Sequence, residues 1–354
     1  MTIQVKGYAA LSADTPLQAF DFERRECGDN DIEIDILYCG VCHSDLHQAR
    51  NDWGWSIYPM VPGHEIVGRV VKIGKNVTKF KIGDLAGIGC MVDSCGHCEP
   101  CRHDLEQYCD NGNVQTYNDS FRYSTGEKTY GGYSTRYVVK DAFACRVPEN
   151  LDTKAVAPLL CAGITTYSPL RHWKVGKGTK VGVVGLGGLG HMAIKFAVAM
   201  GAEVSLFTRS TGKFDDAKKL GVHHIVLSTD ENQMKAVRNQ FDVIIDTVPY
   251  KHDLAPYVPT LTTDGALVLV GVVGEEVAAN SAQLLLKRRT IAGSCIGGIA
   301  ETQEMLDFCG KHNIVPDVEI IDMQYINQAY ERMLKSDVKY RFVIDMQSLK
   351  NSEQ

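Results

Sequence analysis

A glycine-rich turn between a short apolar run and a helical pattern constrains the fold of this chain more than any other feature. The run at 181–184 leads into Gly185-x-Gly187-x-x-Gly190, and a helical apolar pattern continues to Gly201. Glycines at this spacing allow a tight turn and close backbone approach, and the N-terminus of the following helix attracts a pyrophosphate. The position between strand and helix therefore predicts a dinucleotide-binding turn, with a merely flexible turn as the alternative.

The two halves of the chain carry different patterns. Beyond residue 158, further strands are predicted at 203–207, 224–227, 243–246, 266–270 and 290–292. Strands that alternate with crossovers form a parallel, doubly wound sheet. The earlier part carries short strand patterns and loops, and alternating charged residues and isoleucines at 31–36 predict a half-buried strand. A chain of 354 residues is also long enough for two domains.

Composition excludes several classes of partner. Apolar residues make up 44% and charged residues 23%, the net charge is −6, and no tract is rich in lysine and arginine. This argues against a nucleic acid or an anionic membrane as a partner. The chain has no apolar N-terminal signal region and no run of about 18 apolar residues. We therefore expect a cytoplasmic protein.

Four of the 12 cysteines lie close together, as Cys95-x2-Cys98-x2-Cys101-x7-Cys109. A disulfide framework is unexpected in a chain of this size without a signal peptide. Four thiolates satisfy a tetrahedral zinc ion and leave no place for water, which predicts a structural zinc site. An iron–sulfur cluster, a disulfide pair or free thiols are the alternatives.

A second metal site is predicted around Cys42 and His64. A catalytic zinc takes three protein ligands and leaves one place open. Cys161 is a plausible third ligand, but Cys39 and Cys90 compete with it on spacing alone. A buried cysteine that acts as a small hydrophobic residue is the alternative for each of them.

The residues around these ligands suit proton transfer. Ser44 and His47 are three apart, so on a helix they share a face and could pass a proton; an N-cap serine and a surface histidine are the alternative. Asp45 could orient a ligating imidazole. Glu65 could contact the metal ligands without binding the metal, or it could enter the coordination sphere when water leaves.

The end of the second predicted strand of the doubly wound sheet indicates which dinucleotide binds. NAD-binding proteins place an acidic residue there against the ribose hydroxyls. No carboxylate occurs before Asp215, and the hydroxyl and basic residues present are Thr208, Arg209, Ser210 and Lys213. Hydroxyl and basic groups suit a 2′-phosphate, which predicts NADP(H) over NAD(H). A solvated basic loop is the alternative.

Several segments together resemble a known family. The first resembles the signature of zinc-containing alcohol dehydrogenases of the medium-chain superfamily and reads Gly63-His64-Glu65-x2-Gly68-x5-Gly74-x2-Val77. The segments 40–45, 58–65, 161–170 and 340–345 resemble the cinnamyl-alcohol dehydrogenase branch, close to bacterial broad-range NADP-dependent aldehyde reductases. The resemblance covers nearly the whole chain. It implies an α/β protein with a GroES-like, strand-rich catalytic domain at 1–160 and 301–354, and a Rossmann cofactor domain at 161–300.

The resemblance also implies residue roles. It makes Cys42, His64 and Cys161 the catalytic zinc ligands, with Glu65 exchanging with water. The four clustered cysteines become the structural site, giving two zinc ions per chain. Ser44 and His47 become the proton relay, and Asp45 the partner of His64. Trp53 and Trp55 lie in the loop that lines the substrate pocket. With the glycine-rich turn, the positions implied to contact the cofactor are Thr165, Gly185, Gly187, Gly188, Leu189, Gly190, Thr208, Arg209, Ser210, Lys213, Thr247, Gly271, Ser294, Cys295 and Ile296.

The reaction implied is reversible hydride transfer between NADP(H) and primary alcohols or aldehydes, aromatic and aliphatic, with zinc as the Lewis acid. A small-molecule substrate and a homodimer are expected. An NAD-dependent zinc polyol dehydrogenase is the alternative enzyme, which the tryptophans and the basic loop disfavour. A quinone reductase of the same superfamily would lack Cys42 and the cysteine lobe. A non-catalytic zinc and nucleotide binder would not need Ser44 and His47.

Overall fold

The computed structural model describes residues 2–271 and 280–350. Its strands are β1 (Thr2–Ala9), β2 (Gln18–Arg25), β3 (Asp31–Val41), β4 (Ile66–Ile73), β5 (Leu85–Ile88), β6 (Met91–Asp93), β7 (Val114–Gln115), β8 (Asp119–Ser120), β9 (Lys128–Thr129), β10 (Arg136–Lys140), β11 (Cys145–Arg146), β12 (Lys180–Val184), β13 (Glu203–Thr208), β14 (His224–Leu227), β15 (Phe241–Asp246), β16 (Leu261–Leu269), β17 (Thr290–Gly293), β18 (Val318–Asp322) and β19 (Arg341–Asp345).

The α-helices are α1 (His43–Ala49), α2 (Glu99–Arg102), α3 (Thr153–Val156), α4 (Ala162–His172), α5 (Gly190–Ala199), α6 (Phe214–Lys219), α7 (Glu231–Ala236), α8 (Ser281–Leu285), α9 (Ile299–His312), α10 (Ile326–Leu334) and α11 (Gln347–Lys350). In the described part of the chain, no helix combines the length and the apolar surface needed to cross a bilayer.

The chain divides into two compact units. The first unit comprises Met1–Cys161 and Gly297–Gln354, and the second comprises Ala162–Ile296. The family resemblance implied boundaries at 160 and 300.

The second unit is built on a parallel sheet. Its described strands have the order β14-β13-β12-β15-β16-β17, and β12 pairs in parallel with both β13 and β15. Short apolar strands suit this arrangement because both faces of the sheet are covered. Phe207, Phe241 and Leu267 pack in one buried cluster with Val184 and Tyr257. The predicted doubly wound sheet is confirmed.

The first unit is built on a mixed sheet of short strands. Its described path is β11-β5-β4-β3-β19-β18, with β10 also paired to β3. The C-terminal segment returns to this sheet, where β19 pairs antiparallel with β3 and Phe342 lies opposite Val41. This pairing brings Arg341 close to the end of β3, from which the chain enters α1.

The prediction that the strand at 31–36 is half-buried is wrong. Asp31 and Glu33 are 6% and 4% exposed. Both carboxylates are paired, Asp31 with Arg25 and Glu33 with Arg136. Because β3 is a central strand with neighbours on both sides, its charged residues are covered, and each needs a cation to offset the cost of desolvation.

Candidate active site

The start of α1 is organised by one buried carboxylate. Asp45 is 0% exposed, and its Oδ2 accepts the Cys42 N–H at 2.9 Å. Its Oδ1 accepts the Gly63 N–H at 3.0 Å and lies 3.0 Å from His64 Nδ1. A carboxylate at this distance holds the imidazole proton on Nδ1, which leaves the Nε2 lone pair free for a metal. Asp45 thus joins the two segments that carry Cys42 and His64.

A group of potential metal ligands lies in the first unit. The ligand atoms of Cys42, His64, Glu65 and Cys161 all lie within 4.8 Å of one another. The sulfurs of Cys42 and Cys161 are 3.9 Å apart. Two thiolates on one tetrahedral zinc ion would be about 3.8 Å apart. The donor set and its spacing fit zinc.

The three cysteines that competed for third ligand are placed differently. Cys161 belongs to the group of four. Cys39 is fully buried, where burial raises its pKa well above the ordinary value. Cys90 lies beside Cys161, and its Sγ is 3.8 Å from the Leu160 carbonyl oxygen, but it is outside the group of four.

Glu65 and Arg341 form an ion pair under the ligand group. Arg341 Nη2 donates to Glu65 Oε1, and both side chains are at least 94% buried. Arg341 Nη1 lies 4.0 Å from the Cys42 sulfur. Burial raises the pKa of Glu65 to about 7, against the opposing effect of Arg341. Glu65 Oε2 is buried and has no hydrogen-bond partner among the described residues, so it is available to a metal ion.

Glu65 also requires a glycine beside it. A Cβ atom added at Gly40 would lie 1.9 Å from Glu65 Oε2. Any other residue at position 40 would therefore displace the carboxylate. This gives a physical reason for the glycine two residues before Cys42.

The predicted proton relay lies on α1. The Ser44 hydroxyl is 3.7 Å from the Cys42 sulfur. His47 Nδ1 lies 2.7 Å from Asp52 Oδ2, and the two side chains are 29% and 46% exposed. The alternative of Ser44 as the helix N-cap is wrong, because the N-cap is Cys42. The helix thus presents a hydroxyl near the ligands and an imidazole near solvent.

The two tryptophans that follow α1 stack on each other. Their ring centroids are 6.1 Å apart at 14°, and Trp53 and Trp55 are 41% and 53% exposed. Trp53 also lies 5.6 Å from the ring of His47. The two rings form an exposed aromatic surface next to His47, the residue of the predicted relay that lies nearer to solvent.

Sequence reasoning gave no role to Asp52 and Arg341. Asp52 follows α1 by only a few residues, so a carboxylate within reach of His47 was a usable signal. The strand Arg341–Asp345 begins with Arg341, continues with three apolar residues and ends with an aspartate, so Arg341 is its only cation. Arginine is rarely buried without a partner, and that rule could have indicated a buried carboxylate nearby.

The cysteine lobe brings its four thiols together. The ligand atoms of Cys95, Cys98, Cys101 and Cys109 lie within 4.8 Å of one another, and each cysteine is free. Sulfur separations are 4.0 Å for Cys95 and Cys101, and 3.8 Å for Cys98 and Cys109, close to the ~3.8 Å of a tetrahedral zinc site. The Asn111 side chain, with backbone N–H groups, lowers the pKa of Cys95 to about 5. A thiolate suits a metal ligand.

Replacing one lobe cysteine tests this site. We expect Cys98→Ser to reduce the zinc content from about two to about one ion per chain and to lower the thermal midpoint by roughly 5–10 °C. Metal analysis and a thermal scan measure both. Cys27→Ser, at a partly buried free thiol of the same unit, is the matched control. Unchanged zinc content, or a visible absorption band of an iron–sulfur cluster, would contradict the assignment.

The glycine-rich turn connects β12 to α5 in the second unit. Gly185 has φ +89°, a conformation that favours glycine. A Cβ atom at Gly190 would lie 2.1 Å from the Gly185 carbonyl oxygen, whereas one at Gly187 would meet nothing within 4 Å. Gly190 is needed for the packing of the turn, and the open space at Gly187 leaves room for a ligand.

Several of the remaining predicted cofactor positions lie at the carboxyl ends of the parallel strands. Thr208, Thr247, Gly271 and Ser294 lie at or just beyond the carboxyl ends of β13, β15, β16 and β17. Arg209, Ser210 and Cys295 are exposed, and Ile296 has φ +40°. Lys213 Nζ donates to the Leu186 carbonyl at 2.7 Å. Thr165 is buried in α4. Gly188 lies in the turn, and Leu189 is the N-cap of α5.

Comparisons with known proteins agree with this arrangement. Two family models match, an alcohol dehydrogenase GroES-like domain over residues 28–149 and a zinc-binding dehydrogenase over residues 188–311. Aldehyde reductase YahK of Escherichia coli is 53% identical over 98% of this chain and 99% of its own. A Sorghum bicolor cinnamyl alcohol dehydrogenase superposes with a TM-score of 0.94 at 44% identity over 98% of both chains. The CAD of Helicobacter pylori, solved with NADP(H), superposes with 0.90 at 47% identity over 98% and 99%.

The fold and the ligand group define a zinc-dependent dehydrogenase of alcohols and aldehydes. With these matches, the chain belongs to the zinc-containing alcohol dehydrogenase family, and its relatives include cinnamyl alcohol dehydrogenases. The resemblance and the fold class expected from the sequence are confirmed.

Proposed function

We propose that this chain is an NADP(H)-dependent aldehyde reductase and alcohol dehydrogenase with two zinc ions. Membership of the family establishes alcohol dehydrogenase or aldehyde reductase activity. The observation that carries the more specific proposal is the group of Cys42, His64 and Cys161, with Asp45 holding the His64 proton on Nδ1. The two cysteine thiolates and the lone pair of His64 Nε2 would fill three positions of a tetrahedral zinc ion and leave the fourth for the substrate.

Cys42, His64 and Cys161 would hold the catalytic ion, which as a Lewis acid would polarise the oxygen of the substrate. Arg341 anchors one oxygen of Glu65 and leaves the other without a hydrogen-bond partner among the described residues. Ser44 and His47 move a proton between the substrate oxygen and solvent. Asp52 accepts from His47 Nδ1 and so favours a lone pair on Nε2, which can take up the proton.

The second unit would bind the dinucleotide, which supplies the hydride. Gly185, Gly187 and the N-terminus of α5 suit the pyrophosphate. The exposed Arg209 is free to meet a 2′-phosphate, whereas Lys213 is half-buried and already donates to the turn. Support also comes from the Helicobacter pylori relative, described as a complex with NADP(H), and from an NADP-dependent alcohol dehydrogenase of Mycolicibacterium smegmatis that is 49% identical.

The substrates proposed are primary alcohols and aldehydes, and the stacked Trp53 and Trp55 favour flat apolar ones. A cytoplasmic homodimer is the form we propose for the enzyme. Steady-state kinetics with aliphatic and aromatic aldehydes against NADPH and NADH test the function. A zinc count near two per chain is expected. Faster turnover of mannitol or sorbitol with NAD would favour the polyol dehydrogenase instead.

Removing the exposed arginine tests the cofactor preference. We expect Arg209→Ala to reduce kcat/KM for NADPH by roughly tenfold or more, with little change for NADH, because an arginine–phosphate pair is lost. Lys219→Ala, at an exposed cation of α6, is the matched control and should leave both values unchanged. Equal efficiency of the parent enzyme with NADH and NADPH would refute the preference.

A further inference from the structure

The loop after β15 is closed by a buried pair. Asp246 is the last residue of β15 and is 0% exposed. Its Oδ1 accepts the Val248 N–H at 3.1 Å, and its Oδ2 lies 2.8 Å from His252 Nε2. His252 Nδ1 lies 2.8 Å from the Tyr250 carbonyl oxygen. The side chains of Asp246 and His252 thus hold the backbone of residues 247–251 in one conformation.

Both ring nitrogens of His252 face oxygen acceptors. A neutral imidazole carries one N–H, so it can donate to only one of them. The two contacts are both favourable only when the pair holds an additional proton, as imidazolium with carboxylate or as imidazole with a carboxylic acid. Without that proton, a nitrogen lone pair faces either the Tyr250 carbonyl or the Asp246 carboxylate, and the contact becomes repulsive. Burial raises the pKa of Asp246, opposed by the Val248 N–H and by His252.

The loop packs against positions predicted to contact the cofactor. A Cβ atom at Gly185 would lie 3.1 Å from Val248 Cγ2 and 3.3 Å from Thr247 Oγ1. A Cβ atom at Gly271 would lie 2.9 Å from the Val248 carbonyl oxygen. The loop also lies at the carboxyl edge of the parallel strands, where doubly wound sheets bind their ligands. A shift of Val248 would therefore change the dinucleotide site.

We propose that His252 is a positioning residue which, through Asp246 and the Tyr250 carbonyl, holds loop 247–251 in its cofactor-binding form only while the pair keeps its additional proton. Affinity for the dinucleotide then falls as the pH rises. The proposal rests on the proposed function, because it takes the ligand to be NADP(H).

Other titratable and charged groups surround the pair. The rings of Tyr250 and Tyr257 lie 6.3 Å and 6.4 Å from the His252 ring. Asp253 follows His252, and the charges of Arg209 and Asp253 act on Tyr257. Arg209 and Asp253 have opposite charges. Among the described groups named here, the pair itself is the one whose contacts depend on a single proton.

Two substitutions separate the two contacts of the ring. His252→Asn places an amide nitrogen near the position of Nδ1, so it keeps donation to Tyr250 without a titratable proton. His252→Gln places its amide nitrogen near Nε2, so it keeps the contact with Asp246 and loses the one with Tyr250. His224→Gln is the matched control. His224 is an exposed histidine paired with Glu203, and it is the first residue of β14, away from the carboxyl ends of the strands.

Fluorescence titration with NADPH, from about pH 6 to about pH 9, measures the affinity across the range in which histidines titrate. For the parent enzyme and His224→Gln we expect a loss of about tenfold through a single ionisation. Each His252 variant keeps one of the two contacts and has no titratable ring, so both variants should lack the parent's fall in affinity with rising pH. A parent affinity independent of pH, or the parent's pH profile in both His252 variants, would overturn the proposal.

The failure of the proposed function would look different. If the parent enzyme binds NADH in preference to NADPH, the proposed cofactor is wrong. The same four proteins titrated with NADH then test the role of His252, with the same expected dependence on pH.

Discussion

Cys42→Ser is expected to reduce turnover of aldehydes by roughly 10³-fold or more, because a serine hydroxyl is a poor ligand for zinc and the Lewis acid would be lost. The affinity for NADPH should change little. All predicted cofactor positions lie in the second unit, whereas Cys42 lies in the first. Steady-state kinetics, an NADPH titration and metal analysis together measure the effect, and the zinc content should fall by about one ion per chain.

Cys39→Ser is the matched control for this prediction. Cys39 lies on β3, three residues before Cys42. Its thiol is buried like that of Cys42, but it lies outside the ligand group. Its replacement should preserve the zinc content and most of the turnover. Full activity of Cys42→Ser, or a loss of equal size in the control, would contradict the role of Cys42. Loss of NADPH binding in Cys42→Ser would instead indicate that the substitution disturbs the fold.

Local patterns were sufficient for most of the fold. The strand His224–Leu227 has the predicted bounds, and the strand Glu203–Thr208 differs from its prediction by one residue. The turn at Gly185 was predictable because its glycines lie between two elements of different period. The burial of Asp31 and Glu33 was not predictable, since it depends on which strands flank β3 and, for Glu33, on a partner distant in sequence. Strand order is a property of the whole chain, and no local pattern specifies it.

Part of the candidate site was likewise predictable from local sequence, and part of it was not. Cys42, Ser44 and His47 lie in one short segment, and their helical spacing was visible in the sequence. The choice of Cys161 over Cys39 and Cys90 was not, because spacing along the chain does not determine distance in space; it came from the resemblance alone. Arg341 was missed for the same reason. It reaches Glu65 only because β19 pairs with β3, a contact between residues almost three hundred positions apart.

Arg341→Met is expected to destabilise the first unit by about 3–5 kcal/mol, because it leaves the Glu65 carboxylate buried without its cation. The Arg341 and Glu65 side chains are 6% and 0% exposed, so water cannot replace the missing partner. The double variant Glu65→Gln with Arg341→Met should recover much of this loss, since an amide is far less costly to bury than a charge. Urea denaturation of the zinc-loaded proteins measures all three values, and turnover of the single variant should also fall as Glu65 loses its anchor.

Arg332→Met is the matched control for the arginine. Arg332 pairs with two carboxylates, Glu319 and Asp337, in the same unit, but those pairs are partly exposed, with the Arg332 side chain 26% exposed against 6% for Arg341. Exposed pairs contribute little because water and salt screen them, so the control should be far less destabilised than Arg341→Met. An equal loss in the two variants would mean that packing of the arginine stem, and not the buried charge, explains the effect. A stable Arg341→Met variant would contradict the prediction. It would mean that the Glu65 charge is offset in another way, by the proton that its raised pKa favours or by a metal ion at the ligand group.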